Sequence, residues 1–186
     1  MKRRSFIKKG ALLTSAPFIT TGLFARALAS KKIAERPFKL NYAPHFGMFK
    51  HNAGEDLLDQ IQFMHDQGFR SLEDNGMKGR STKTQTEIAN KMTKLNMDMG
   101  VFVGHKIYWR EPNLTSGDKG LQDEFVNNIK DSIDVAKRVN ATWMTVVPGH
   151  VDLKKEMAYQ TVNVVEALRR ASELLEPHGL VMVLEP

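Results

Sequence analysis

The sequence predicts an α/β fold, a (β/α)8 TIM barrel of which the first five βα units are present. Three observations lead there. Apolar strand-like runs alternate five times with helical stretches, the strands starting near residues 39, 69, 99, 142 and 180. That rhythm implies parallel strands joined by right-handed crossovers. The loop after the first run, Ala43-Pro44-His45-Phe46-Gly47-Met48-Phe49, holds neither G-x-G-x-x-G nor a lysine-bearing phosphate loop, which disfavours a doubly wound nucleotide fold. Finally, the runs lead into an imidazole or a carboxylate: His45, Glu73, His105, His150 and Glu185. Barrel chemistry collects on such a ring of strand C-terminal ends.

The elements follow in order. Residues 39–43 read as a first strand after Pro37, with residues 44–47 as its exit loop. Glu55 and Asp56 suit a helix N-terminus, Leu57, Leu58, Ile61 and Met64 mark its inner face, and Gly68 closes it. Residues 69–73 form a second strand, and residues 81–95 a weaker helix facing inward through Ile88, Met92 and Leu95. A third strand over 99–104 ends at His105. The loop over 106–120 is long for a βα connection and carries Tyr108, Trp109 and Arg110. Leu121, Phe125, Ile129, Ile133 and Ala136 then repeat at helical spacing. Residues 142–147 are strand four, 157–175 a further helix, and 180–184 a closing strand apolar enough to be buried on both faces. It delivers Glu185, and Pro186 stops the ladder.

Charge excludes one class of function. The net charge of +6 resides wholly in the first 29 residues, which hold Lys2, Arg3, Arg4, Lys8, Lys9 and Arg26 and no acid. The remainder is neutral and offers no electrostatic footprint for nucleic acid. Cysteine is absent, which removes disulfides, thiolate nucleophiles and Cys-based metal sites. Residues 1–29 read as a twin-arginine signal peptide: a basic Arg3-Arg4-Ser5-Phe6-Ile7-Lys8 start, a weakly apolar run over 10–25, and small residues at Ala27-Leu28-Ala29. The run is too short and too polar for a stable membrane anchor. The expectation is a periplasmic protein, folded before passage through the twin-arginine export machinery and matured near Ser30.

Residues 30–186 then form one domain, shorter than the ~250 residues a barrel of this kind typically needs. The expectation is the N-terminal portion of a longer barrel. A complete five-stranded domain in a flavodoxin-like strand order is the alternative.

Two motifs carry a resemblance. Gly68-Phe69-Arg70-Ser71-Leu72-Glu73 resembles the second strand of the xylose-isomerase-like barrel superfamily, which holds sugar isomerases, epimerases and hydroxypyruvate isomerase. Leu180-Val181-Met182-Val183-Leu184-Glu185-Pro186 resembles its fifth strand, with a Glu-Pro ending similar to that of hydroxypyruvate isomerase. The likeness runs over about residues 38–186 and implies an isomerase that interconverts hydroxypyruvate and tartronate semialdehyde, or a related small sugar or keto acid, through an enediolate. By that resemblance Glu185 is a metal ligand and the catalytic proton carrier. The cofactor is a divalent metal, magnesium or manganese, whose other ligands and second carboxylate lie beyond residue 186. His105, His150 and His45 are the candidate substrate contacts, and Glu73 is read as a structural hydrogen-bonding group in the mouth. The other reading is an envelope sugar-binding or scaffold barrel without catalysis.

Overall fold

A computed structural model describes residues 38–185. The signal peptide expected over residues 1–29 lies outside the described residues. Five α-helices are assigned among those described: α1 Lys50–Ala53, α2 Leu57–Asp66, α3 Thr82–Lys94, α4 Lys119–Val139 and α5 Met157–Leu175. Three of them start where a short polar side chain takes up orphan amides. Asp56 accepts from Leu58 N and Asp59 N, Ser81 from Thr84 N, and Asp118 from Leu121 N. The α4 cap lies three residues before Leu121, inside the stretch read from the sequence as loop. The helix ends at Asn140, in the left-handed conformation that a short amide side chain tolerates.

The strands are β1 Ser71–Leu72, β2 Asp98–Met99, β3 Trp143–Val146 and β4 Val181–Leu184. β1 pairs parallel with β2, and β3 parallel with β4. Parallel bridges His45–Glu73 and Val103–Thr145 extend the sequence of neighbours, so the spatial order equals the chain order. Helices α2 to α5 likewise pack each against the next. A doubly wound sheet reverses its strand order at a switch point. The described residues contain no such reversal, and they form the arc of a barrel.

Strand three explains why the sheet is assigned in two pieces. Gly100 N donates to Leu72 O, but Asp74 N donates to Val101 O, where an unbroken ladder would return to Gly100 O. One extra residue is accommodated there, a bulge at Gly100–Val101. Glycine suits this position because a Cβ would lie 3.2 Å from Leu72 O and 3.3 Å from the Ala43 Cβ. Beyond the bulge the ladder resumes with β3, through Thr145 N to Phe102 O and Gly104 N to Thr145 O.

Leu72, Met99, Phe102, Met144 and Val146 bury completely or nearly so, in one core with Ile61, Ile88, Ile129, Ala167 and Ala171 of the helices. Two strand expectations need correction. Residues 39–43 make no strand: Leu40 and Tyr42 are exposed, and Pro44 has no amide to add to a ladder. The closing strand is not buried on both faces either, since Val181, Val183 and Leu184 are 48%, 42% and 50% exposed. Among the described residues β4 has a neighbour along one edge only.

Gly100→Ala is expected to cost about 1–3 kcal/mol by overpacking. Gly79→Ala, where a Cβ meets nothing within 4 Å, is expected to change stability by less than about 1 kcal/mol. Urea denaturation of both variants checks the difference.

Candidate functional site

Register decides what shares the C-terminal rim. His45 bridges Glu73, Val103 bridges Thr145, and Glu185 N donates to Val146 O. Paired residues of a ladder share a face, and neighbours along a strand alternate. Met144 faces the helices, because a Cβ on Gly104 would meet both its sulfur and Ile129 of α4. Thr145, Val183 and, by alternation, Glu185 therefore point to the concave side.

The residues reach this rim in different states. Glu185 is exposed, and its carboxylate has no hydrogen-bond partner among the described residues. Glu73 is half-buried, and its side chain makes no hydrogen bond with any described residue. His45 is exposed and donates from Nδ1 to Phe46 O at 2.9 Å, which leaves Nε2 free. Its loop is pinned to α2 by Gln60, whose Oε1 accepts from Gly47 N and whose Nε2 donates to Gly54 O. The His150 ring is exposed, and its backbone carbonyl accepts from Thr115 Oγ1 at 2.6 Å.

His105 departs from the expected role. It is 5% exposed and edge-on to Phe125, with ring centroids 5.0 Å apart. Nδ1 lies 2.8 Å from Lys106 O, and Nε2 lies 3.0 Å from Val147 N. Both demands are met by one neutral tautomer, which donates from Nδ1 and accepts at Nε2. Burial is the main cause that lowers its pKa to about 4, with the charge of Lys78 acting the same way against the Lys106 hydrogen bond. No ring nitrogen is left to touch a substrate, so the imidazole clamps strand three to strand four.

Several groups at the rim escape a reading of sequence. Lys78 donates from Nζ to Gly104 O, Asn128 O and Asn128 Oδ1, and burial lowers its pKa against the opposing charge of Asp131. Asp74 is buried, pairs with Arg80 through both oxygens and accepts from Gly76 N. The long loop is tied at its base by Tyr108 Oη donating to Glu124 Oε2 at 2.6 Å, with Lys106 Nζ 2.7 Å from the same hydroxyl. Lys78 and Asn128, like Tyr108 and Glu124, lie on different elements, and no local spacing announces those pairings. Among the described residues no three His, Asp or Glu could together hold a metal ion. These residues alone therefore do not make a magnesium or manganese site, and Glu185 stands as a single candidate ligand. Nor is any described helix long and apolar enough to cross a membrane.

The His105 shift sets a pH dependence. Above about 6.5 the group is neutral in both folded and unfolded chains. Below that, the unfolded chain takes up a proton that the fold refuses, so stability falls as the pH drops from about 6.5 toward 4. The loss levels off at roughly 3 kcal/mol. Urea denaturation at pH 7 and pH 4 is expected to show wild type losing about that much of its advantage over His105→Asn.

Comparison with known proteins places this arc. No curated protein sequence matches it. The structure is similar to an AP endonuclease, family 2, from Brucella melitensis at TM-score 0.59 and 18% identity, covering 77% of this chain and 54% of that one. It is similar to D-psicose 3-epimerase from Clostridium cellulolyticum H10 at TM-score 0.61 and 15% identity, covering 78% and 52%. It also resembles a 3-keto-D-glucoside 4-epimerase from E. coli at TM-score 0.60 and 14% identity, covering 80% and 56%. The chain thus spans about half the length of the solved structures it matches. The family model for the xylose isomerase-like TIM barrel matches residues 61–186, and the chain belongs to that family.

Proposed function

We propose that this chain supplies the first five strands, and the anchoring carboxylate, of a sugar isomerase or epimerase. Membership of the xylose isomerase-like family supports the reaction class, and solved structures of similar fold include sugar epimerases by description. The observation that carries the reading is Glu185: a carboxylate without a hydrogen-bond partner among the described residues, at the C-terminal end of β4 on the concave side. A group in that state can accept a ligand or a proton without first breaking a native contact.

The finer reading is interconversion of hydroxypyruvate and tartronate semialdehyde. A proton leaves C3 of hydroxypyruvate, the resulting enediolate is reprotonated at C2, and a proton passes from the C3 oxygen to the C2 oxygen. Glu185 carries the carbon-bound proton. His45 and His150 contact the substrate oxygens, while His105 acts through the rim it clamps. A divalent cation, magnesium or manganese by its preference for oxygen ligands, is held by Glu185 together with groups outside the described residues. It would stabilise the enediolate oxygens.

Glu185→Gln in the polypeptide extended through the remaining strands is expected to lower turnover by about 10²–10⁴-fold. It should also abolish exchange of the substrate C–H with deuterated solvent while leaving the melting temperature unchanged. Wild-type turnover by the variant would defeat the assignment. The proposed site is extracytoplasmic, so replacing Arg3 and Arg4 together with Lys is expected to stop periplasmic accumulation. Fractionation of expressing cells checks this, and unchanged export would remove the twin-arginine reading.

A further inference from the structure

Asp74, immediately after the rim residue Glu73, is a buried carboxylate that the proposed reaction does not use. Its charge is fully matched. Arg80 Nε and Nη2 donate to its two oxygens at 2.5 and 3.1 Å, and Gly76 N donates to Oδ1 at 3.1 Å. The backbone of Asp74 is fixed as well, because its amide donates to Val101 O at the bulge of strand three. The guanidinium is therefore held in one place. It lies over the ring of Phe46, 5.1 Å from the centroid, a cation–π contact that gains strength as the cation loses water.

Phe46 in turn decides the state of His45, which the backbone bridge to Glu73 places at the rim. The carbonyl of Phe46 can only accept. His45 Nδ1, 2.9 Å away, therefore carries the ring proton, and Nε2 is left as an acceptor. A neutral imidazole free in water carries its proton mainly on Nε2, the opposite arrangement. The His45 ring is exposed, so the Nδ1–H form persists only while residue 46 keeps its place. Two contacts keep it there: Arg80 on the Phe46 ring, and Gln60 Oε1 accepting from the next amide, Gly47 N, at 2.8 Å.

We infer that the Asp74–Arg80 pair, acting through the ring of Phe46, holds His45 in the Nδ1–H tautomer and so presents Nε2 to a hydroxyl proton of the substrate. Arg80 and Phe46 are then positioning residues, and His45 is the group they position. The arrangement selects a ligand that donates at this point, a hydroxyl, over one that only accepts, a carbonyl or carboxylate oxygen. The inference rests on the substrate contact proposed for His45, but the tautomer can be read without turnover.

Arg80→Gln alone leaves the Asp74 carboxylate buried without its counter-charge and is expected to destabilise the chain. The test therefore uses Phe46→Leu, which keeps that pair and removes the ring, and Phe46→Tyr, which restores a ring. Imidazole ¹⁵N NMR of the polypeptide extended through the remaining strands is expected to show His45 as Nδ1–H in wild type and Phe46→Tyr. In Phe46→Leu the population is expected to move toward Nε2–H, while His105, held by other partners, stays Nδ1–H in all three. With hydroxypyruvate as probe, Phe46→Leu is expected to lower kcat/KM by about fivefold, with no further loss in a His45→Ala background. His45 remaining Nδ1–H in Phe46→Leu, or Nε2–H in wild type, overturns the inference. An equal loss of kcat/KM in the His45→Ala background overturns it too, since the ring would then act on the fold and not through His45. Wild-type turnover by His45→Ala together with the tautomer change in Phe46→Leu supports the positioning and removes the substrate contact proposed for His45.

Discussion

At the end of strand three the backbone ladder hands over to side chains, and the rest of the rim is built on that exchange. The next ladder bond would run from Val147 N to Gly104 O. The carbonyl of Gly104 instead accepts from Lys78 Nζ and Ser132 Oγ, and the amide of Val147 donates to His105 Nε2. Three elements that never meet in sequence are joined at one peptide: the turn after β1, helix α4 and strand β3. Buried backbone groups must find partners; Gly104 O keeps one donor if either Lys78 or Ser132 is lost, whereas losing His105 would strand the amide of Val147. The crossing is tight as well as polar. A Cβ on Gly104 would come within 2.9 Å of the Met144 sulfur and 3.1 Å of Ile129 Cδ1, so a larger residue there would oblige those side chains to shift.

The bulge at Gly100 has a consequence at the same rim. One extra residue reverses the alternation of side chains beyond it. Before the bulge Met99 enters the helix-facing core with Leu72; after it Phe102 and Gly104 take that side. His105 follows Gly104 beyond the end of the strand, where its ring lies against Phe125 of α4.

Much of this was legible in the sequence, and what was not has a common cause. The alternation of elements, the helix N-terminus at Asp56, and the carboxylate at the end of the closing strand all follow from local pattern. Local pattern also suggested a strand at 39–43, where the apolar residues are sparse and Pro44 interrupts the donors. Long-range pairing overrode local reading elsewhere. Nothing near Lys78 in the chain marks it as a partner of Asn128, and nothing near His105 shows that both its nitrogens are spent on backbone. The closing strand is instructive in another way. Its apolar run describes a strand covered on both faces, whereas Val181 and Val183 are exposed on the concave side of the described arc. Five neighbours in chain order, about half the length of the matched structures, is the arrangement in which such a strand has one free edge.

Charge on the described part of the rim bears on the cation that the proposed reaction calls for. His105 stays neutral above about pH 4, so it contributes no positive charge at physiological pH. The two carboxylates assigned to the rim, Glu73 and Glu185, are matched there by neither an ion pair nor a side-chain hydrogen bond from the described residues. Two carboxylates without a counter-charge are groups to which the divalent cation proposed above would be drawn. The unpaired guanidinium of Arg110 stands outside this ring, on the loop rather than at a strand end. It makes no ion pair with the carboxylates of the described rim, which leaves their counter-charge to the cation proposed above.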